Sequence, residues 1–322
     1  MDIEKFPNSD KVIKSIDRLK RSEYPKYADG QDIDSFTDEV SKFFAEEFGF
    51  TLSAKIPYKA KDFSLPFFRV RELDSFTNID LFREHSYPPV DCTKMGRCNF
   101  PKLPVFYCSE NPMTAILEVA RNNVGSEKEY CLSKWELIPT NDDIIFEHFL
   151  RVDLPKENQY KPLNESFRKN INTPFEISLK KSLNIEQEKG LIEYFKYLDS
   201  LFMNDSDYSI SATLAYNSLY VNHSYRTDIL MYPSVQTHFK GINLAIQPNF
   251  VENNMRLKRL YIVSLNQFDP NSGTISVNMT KYGIVVKNAI KWKNIDPNDE
   301  QYKEFVKEDF GEVISSQYNE KK

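Results

Sequence analysis

The final third of the chain constrains the fold most, because its apolar residues fall in short runs that are separated by polar and turn-forming residues. Runs of this length and composition predict β-strands. They are DILMYPSV, GINLAIQP, LKRLYIVSL, TISVNM and YGIVVKNAIKW. The front of the chain shows helical spacing instead, and the centre is mixed. A helix-rich front followed by a strand-rich end predicts an α+β fold rather than regular βαβ alternation.

Two amphipathic segments open the chain. Residues 8–22 carry apolar side chains at helical spacing, and residues 35–48 repeat this pattern until Gly49, where a helix is expected to stop. We therefore predict a helical N-terminal extension over residues 1–60. We expect its aromatic face to pack on the rest of the chain rather than on a partner. That face comprises Phe36, Phe43, Phe44 and Phe48.

The remaining residues, 61–322, are predicted to form the main domain. It begins with a strand in LPFFRVREL, followed by a long irregular segment over residues 74–103. Residues 140–205 contain proline-rich and charged stretches, so we predict an insertion there. Two helices are predicted in LNIEQEKGLIEYFKYLDSLFM and YSISATLAYNSLYVN.

Composition narrows the classes of function. A net charge of −5 and a pI of about 5.6 argue against direct nucleic-acid binding, and 9 glycines leave little material for glycine-rich phosphate loops. The first residues lack an apolar signal core, and no apolar run reaches the roughly 18 residues of a membrane span, so we expect a cytoplasmic protein without a membrane partner. The four cysteines form no CxxC pair, and we expect reduced thiols and no metal.

The stretch PVFYCSENPMTAILEV, residues 104–119, predicts a strand, a turn and a helix. Asn111 and Pro112 have the residue types of a helix cap and a first helical residue. Glu118 then lies beside the apolar stripe of this helix. It is either a carboxylate of a functional site or a boundary residue that pairs with Arg121 or another base.

Four other polar residues stand out. Arg69 and Arg71 point to one face of an apolar strand, and such cations need a salt-bridge partner, solvent or an anionic ligand such as a diphosphate. Arg97 lies in the loop GRCNF, and guanidinium groups suit phosphate. Ser234 follows a strand, where it either lines a site or closes a turn. Without a GxSxG elbow, we do not interpret it as a hydrolase nucleophile.

Taken in order, four strings resemble the motifs of the RES-domain family, which is named for an Arg, a Glu and a Ser. FFRVREL resembles its opening strand, GRCNF its GR-x-N loop, PVFYCSENPMTAILEV its strand–turn–helix and MYPSVQTHFKGINLAI its YPS segment and following strand. The similarity spans roughly residues 66–250. The chain departs from the family pattern at Cys98, where Trp is common, and at Gln236, where Arg is common.

The resemblance implies a site and an activity. Arg69, Glu118 and Ser234 match the named triplet, and Arg97 and Tyr107 match further positions that bind the cofactor. The implied fold is an ADP-ribosyltransferase-like core of two packed mixed β-sheets with flanking helices. Family members are bacterial toxins that consume NAD by hydrolysis or phosphorolysis, or that transfer ADP-ribose to a protein, and an antitoxin usually covers the cleft. A non-catalytic binding module is the remaining alternative.

Overall fold

The fold is α+β, as predicted, and its strands form one mixed sheet. The computed structural model describes residues 6–49, 52–53, 55–63, 65–120, 123–169, 182–220, 226–269 and 274–311. The helices in these ranges, α1 to α8, are Ser9–Leu19, Ile33–Phe48, Pro112–Ala120, Lys161–Lys169, Ile185–Asn204, Ser209–Leu219, Pro248–Asn254 and Glu300–Phe310. The strands, β1 to β10, are Lys55–Lys59, Phe67–Glu72, Phe106–Ser109, Glu129–Leu137, Asp143–His148, Ile229–Pro233, Ile242–Ile246, Met255–Asp269, Thr274–Val286 and Ala289–Asn294.

The strand order is β1-β5-β6-β7-β3-β2-β4-β8-β9-β10. Neighbouring strands run antiparallel except β5 and β6, which are parallel. The expected division into two packed sheets is not confirmed, because the described strands are hydrogen bonded into a single sheet of ten strands.

The sheet is narrowly connected at its centre. Strands β2 and β3 are paired through Phe68 and Ser109, whereas β2 pairs with β4 along its whole length. We call the junction between β2 and β3 the seam. It joins one half of the sheet, from β1 to β3 in the strand order, to the other half, from β2 to β10.

The two faces of the sheet are packed differently. One face is covered by a continuous core that takes residues from both halves, including Phe106, Trp135 and Ile246. On the opposite face the core is divided into two clusters. One packs α3 and α8 on the β2–β10 half, and the other packs α5 and α6 on the β1–β3 half. A gap between helices is therefore left close to the seam.

The N-terminal helices form as predicted. Asn8 caps α1 by accepting a hydrogen bond from the Lys11 amide, and α2 ends at Gly49, whose φ of 83° lies in the left-handed region. The aromatic face of α2 packs against α5 and α6 together with α1, so the extension contacts the main domain as expected.

The sheet includes one strand from the region for which the sequence predicts a helical extension. Strand β1 falls inside the predicted extension and pairs with β5, and β5 falls inside the predicted insertion. The helical part of the extension therefore ends before Lys55. Residues 170–181 of the predicted insertion lie outside the described residues. Over the ranges that are described, no helix is both long enough and apolar enough to cross a membrane.

Candidate functional site

Helix α3 directs Glu118 toward the seam. The Asn111 side chain accepts hydrogen bonds from the amides of Met113 and Thr114, at 2.8 and 3.3 Å, and Pro112 is the first helical residue. Both predicted start signals are confirmed. The apolar face of α3 packs on β2 and β4, within the cluster that holds Phe68. Glu118 lies at the border of that face and is half-buried.

The carboxylate of Glu118 bonds to the other half of the sheet. Its Oε1 atom accepts hydrogen bonds from Ser234 Oγ and Asn243 Nδ2, both at 2.6 Å. Ser109 Oγ in turn donates to Asn243 Oδ1 at 2.7 Å, which orients the amide toward Glu118. Ser234 directly follows β6 and is fully buried, and its Oγ also accepts a hydrogen bond from the Thr237 amide at 3.3 Å, so it closes a turn as well as contacting Glu118. The alternative partner Arg121 lies outside the described residues.

Arg69 also reaches across the seam. Its Nη1 donates to the backbone carbonyl of Tyr107 at 2.9 Å, and its Nε donates to the carbonyl of Ser86 at 3.1 Å. The guanidinium lies 5.3 Å from the centre of the Phe106 ring. Burial, and secondarily the nearby charge of Arg71, lowers the pKa of Arg69 to about 10. Among the described residues no carboxylate lies within salt-bridge distance of Arg69, so an ion pair does not account for its position.

Arg97 is anchored at the end of a helix. Its Nη1 donates to the carbonyls of Phe202 and Met203, in the last turn of α5. Cations are favourable at this end because the last carbonyls of a helix carry partial negative charge. The guanidinium also lies 5.2 Å from the centre of the Tyr208 ring. Arg97 is thus held by neutral groups.

The loop containing Arg97 is fixed by Tyr107. The Tyr107 hydroxyl donates to Asn99 Oδ1 and accepts from the Cys98 amide, both at 2.8 Å. A Cβ at Gly96 would lie 2.7 Å from Asn99 Oδ1 and 3.0 Å from the Tyr107 hydroxyl, so this position requires glycine. Burial raises the pKa of Tyr107 well above its ordinary value. The hydroxyl of Tyr107 therefore positions the loop.

These side chains surround one cavity of about 430 Å³ at the seam. Arg69, Arg97, Tyr107 and Glu118 all line it, whereas Ser234 lies behind Glu118 and contributes through its hydrogen bond. The structure thus brings all five residues predicted from the sequence to one place. The other lining residues that matter below are Asn243 and Tyr208.

Sequence reasoning missed Asn243 and Tyr208. Asn243 interrupts the apolar strand GINLAIQP, and an amide between buried residues is a signal that could have identified it. Tyr208 is the first residue of the second predicted helix, whereas the structure places it directly before that helix in a left-handed conformation.

Two cationic side chains and one carboxylate line the cavity. Arg69 and Arg97 can hold an anionic group, and Glu118 can face a centre of positive charge. In the described part of the chain no three His, Cys, Asp or Glu side chains cluster as metal ligands would. No family model matches this chain, and no curated protein matches it.

Proposed function

We propose that this protein consumes NAD by cleaving the bond between nicotinamide and ribose, with water or inorganic phosphate as the acceptor. The observation that carries the proposal is that Arg69 and Glu118 line one cavity and that Ser234 is hydrogen bonded to Glu118, although these residues are far apart in the sequence. The cavity volume falls within the usual range for small-molecule sites, about 300–1,000 Å³. The resemblance to RES-domain proteins supplies the substrate.

The charges of the cavity suit the two parts of NAD. The diphosphate is anionic, and Arg97 and Arg69 supply guanidinium groups whose planar geometry matches phosphate oxygens. Cleavage of the nicotinamide–ribose bond develops positive charge on the ribose, as in glycoside hydrolysis. In this proposal Glu118 stabilises that charge, while Ser234 and Asn243 fix the carboxylate in place.

The products identify the reaction. The purified protein is incubated with NAD, with and without inorganic phosphate, and the mixture is analysed by mass spectrometry. Hydrolysis gives free nicotinamide and ADP-ribose, and phosphorolysis gives nicotinamide and a phosphorylated ADP-ribose. A mass increase of ADP-ribose on a protein would favour the alternative, a protein ADP-ribosyltransferase. Intact NAD without an adduct would contradict an enzymatic role and leave a binding module.

We also propose that the protein acts as the toxin of a toxin–antitoxin pair, with an antitoxin that covers the cavity. The support is the family resemblance together with the position of Val235, an exposed apolar residue at the cavity wall with 43 % relative exposure. Expression of the wild-type protein should arrest growth, and expression of Glu118→Gln should not. Equal toxicity of both proteins would contradict a toxic effect through NAD.

A further inference from the structure

The turn between α5 and α6 is built to hold one aromatic side chain. Asp205 Oδ2 accepts hydrogen bonds from the amides of Ile210 and Ser211, at 2.9 and 2.8 Å, and Asp207 Oδ1 accepts from the Ser209 amide at 3.0 Å. These bonds satisfy the first amides of α6. The chain turns at Tyr208, which lies directly before the first residue of α6.

Tyr208 occupies an unusual backbone conformation. Its φ and ψ are 66° and 7°, in the left-handed region that is unfavourable for residues with bulky side chains. Such conformations persist where the surroundings fix them, and they concentrate at functional sites. A glycine or an asparagine would relieve the backbone here. The presence of tyrosine therefore points to a requirement for its ring.

The N-terminal extension supports this turn from outside. The Tyr27 amide donates to Ser209 Oγ at 2.9 Å, and Lys26 Nζ lies 3.7 Å from Asp207 Oδ2. The ring of Tyr27 also packs on Phe100, with ring centres 4.9 Å apart. Phe100 follows Asn99 in the loop of Arg97, so the extension contacts both segments of this wall of the cavity.

We propose, on the basis of the function proposed above, that Tyr208 is the stacking platform for the adenine ring of the dinucleotide. Its ring is partly exposed and lines the cavity. It also lies beside the Arg97 guanidinium, at 5.2 Å. A cationic nicotinamide ring would be repelled by this guanidinium, whereas a neutral adenine would not. The cationic ring then lies toward Glu118, and Arg97 contacts the phosphates between the two ends.

Binding to two fragments tests this assignment. ADP-ribose carries the adenine and lacks nicotinamide, and nicotinamide mononucleotide carries the opposite end. Their dissociation constants are measured by isothermal titration calorimetry for the wild type, Tyr208→Asn, Tyr208→Phe and the surface control Tyr58→Asn. Asparagine tolerates the left-handed conformation, so Tyr208→Asn removes the ring without straining the turn. Melting temperatures verify that each variant is folded.

We expect Tyr208→Asn to weaken ADP-ribose binding by about 10-fold or more, because stacking on a base contributes on this scale. Tyr208→Phe should restore the affinity, and nicotinamide mononucleotide should bind all four proteins alike. In cleavage assays Tyr208→Asn should raise the KM for NAD more than it lowers kcat. Tyr58 lies on edge strand β1 with 49 % relative exposure, and its replacement should change none of these values.

If Tyr208→Asn binds ADP-ribose with wild-type affinity, Tyr208 is not a stacking platform. A loss restricted to nicotinamide mononucleotide would overturn the adenine assignment. If the wild type cleaves NAD while either result is obtained, this inference fails and the proposed function stands. If the wild type neither binds ADP-ribose nor cleaves NAD, the proposed function fails first.

Discussion

Helices α3 and α8 both pack on the same half of the sheet and each carries a cluster of polar side chains, but the two clusters differ in their access to solvent. At α8, Asp309 accepts hydrogen bonds from Lys134 Nζ at 2.6 Å and from the Tyr261 hydroxyl at 2.5 Å, and it lies 3.2 Å from Arg259 Nε. Glu308 pairs with both cations. Two cations and two carboxylates thus meet in one place.

The cluster at α8 is largely buried, with only Glu308 reaching solvent, whereas the cluster at α3 borders a cavity. The side chain of Asp309 has 0 % relative exposure and that of Lys134 has 6 %. At α3, the two hydrogen bonds to Glu118 Oε1 come from a hydroxyl and an amide, and the residue lines the cavity. Balanced charges in a largely buried position serve to dock a helix. A carboxylate that borders a cavity is accessible to a ligand.

The largest effect should follow from removing the buried carboxylate. Asp309→Ala leaves Lys134 and Arg259 buried with one partner fewer, and breaking a buried pair costs about 3–5 kcal/mol. Urea denaturation should show this loss in the free energy of unfolding, while the remaining folded protein keeps its activity toward NAD. A loss below about 1 kcal/mol would show that the cluster does not dock α8.

Glu118→Gln should give the reverse pattern. It keeps the shape of the side chain and removes its charge, so nicotinamide release should fall about 10²-fold or more, while the free energy of unfolding changes little. The matched control is Glu127→Gln, which removes the charge of an exposed glutamate and should alter neither quantity. Release at the wild-type rate by Glu118→Gln would refute the catalytic assignment.

Gly96→Ala should damage the cavity wall without changing any charge. The added methyl group would meet Asn99 and Tyr107, which hold each other by a hydrogen bond and are themselves held in place. Overpacking of this kind costs about 1–3 kcal/mol. We expect a loss of stability by chemical denaturation, accompanied by a raised KM for NAD because Arg97 moves with the loop. Wild-type values for both would mean that the loop adapts freely.

The smallest expected effect is a dependence of stability on pH. Burial raises the pKa of Glu308, but its hydrogen bonds with Lys134 and Arg259 outweigh burial and lower the pKa to about 2. The folded state therefore gains stability from ionised Glu308 above the ordinary value of 4.5, and loses it as the pH falls toward about 2. Glu308→Gln should flatten the dependence of unfolding free energy on pH over this interval. An unchanged slope would contradict the assigned ion pairs.

Local signals in the sequence were sufficient for most individual elements. Asn111 and Pro112 start α3, and Gly49 ends α2, because capping depends on residues that are adjacent in the chain. The pairing of strands depends instead on distant partners. The spacing of apolar residues does not indicate that β1 pairs with β5. It also does not indicate that the two halves of the sheet meet at one seam.

The same distinction applies to the site. Periodicity alone placed Glu118 at the border of an apolar stripe and Arg69 on a strand, without indicating that they meet. The order of the four motifs suggested their association, and the geometry of the cavity brings them together. Tyr208 was not predicted as a site residue, because a tyrosine in the sequence gives no sign that its backbone adopts a left-handed conformation.

The groups around the cavity are divided between the two halves of the sheet that meet at the seam. Arg69 belongs to the β2–β10 half, and Tyr107 and Asn243 belong to the β1–β3 half. Glu118 projects from α3, which packs on the β2–β10 half, and its carboxylate bonds across the seam to Asn243. The continuous core on one face of the sheet spans the seam, so the packing of this core helps to fix the spacing of these groups.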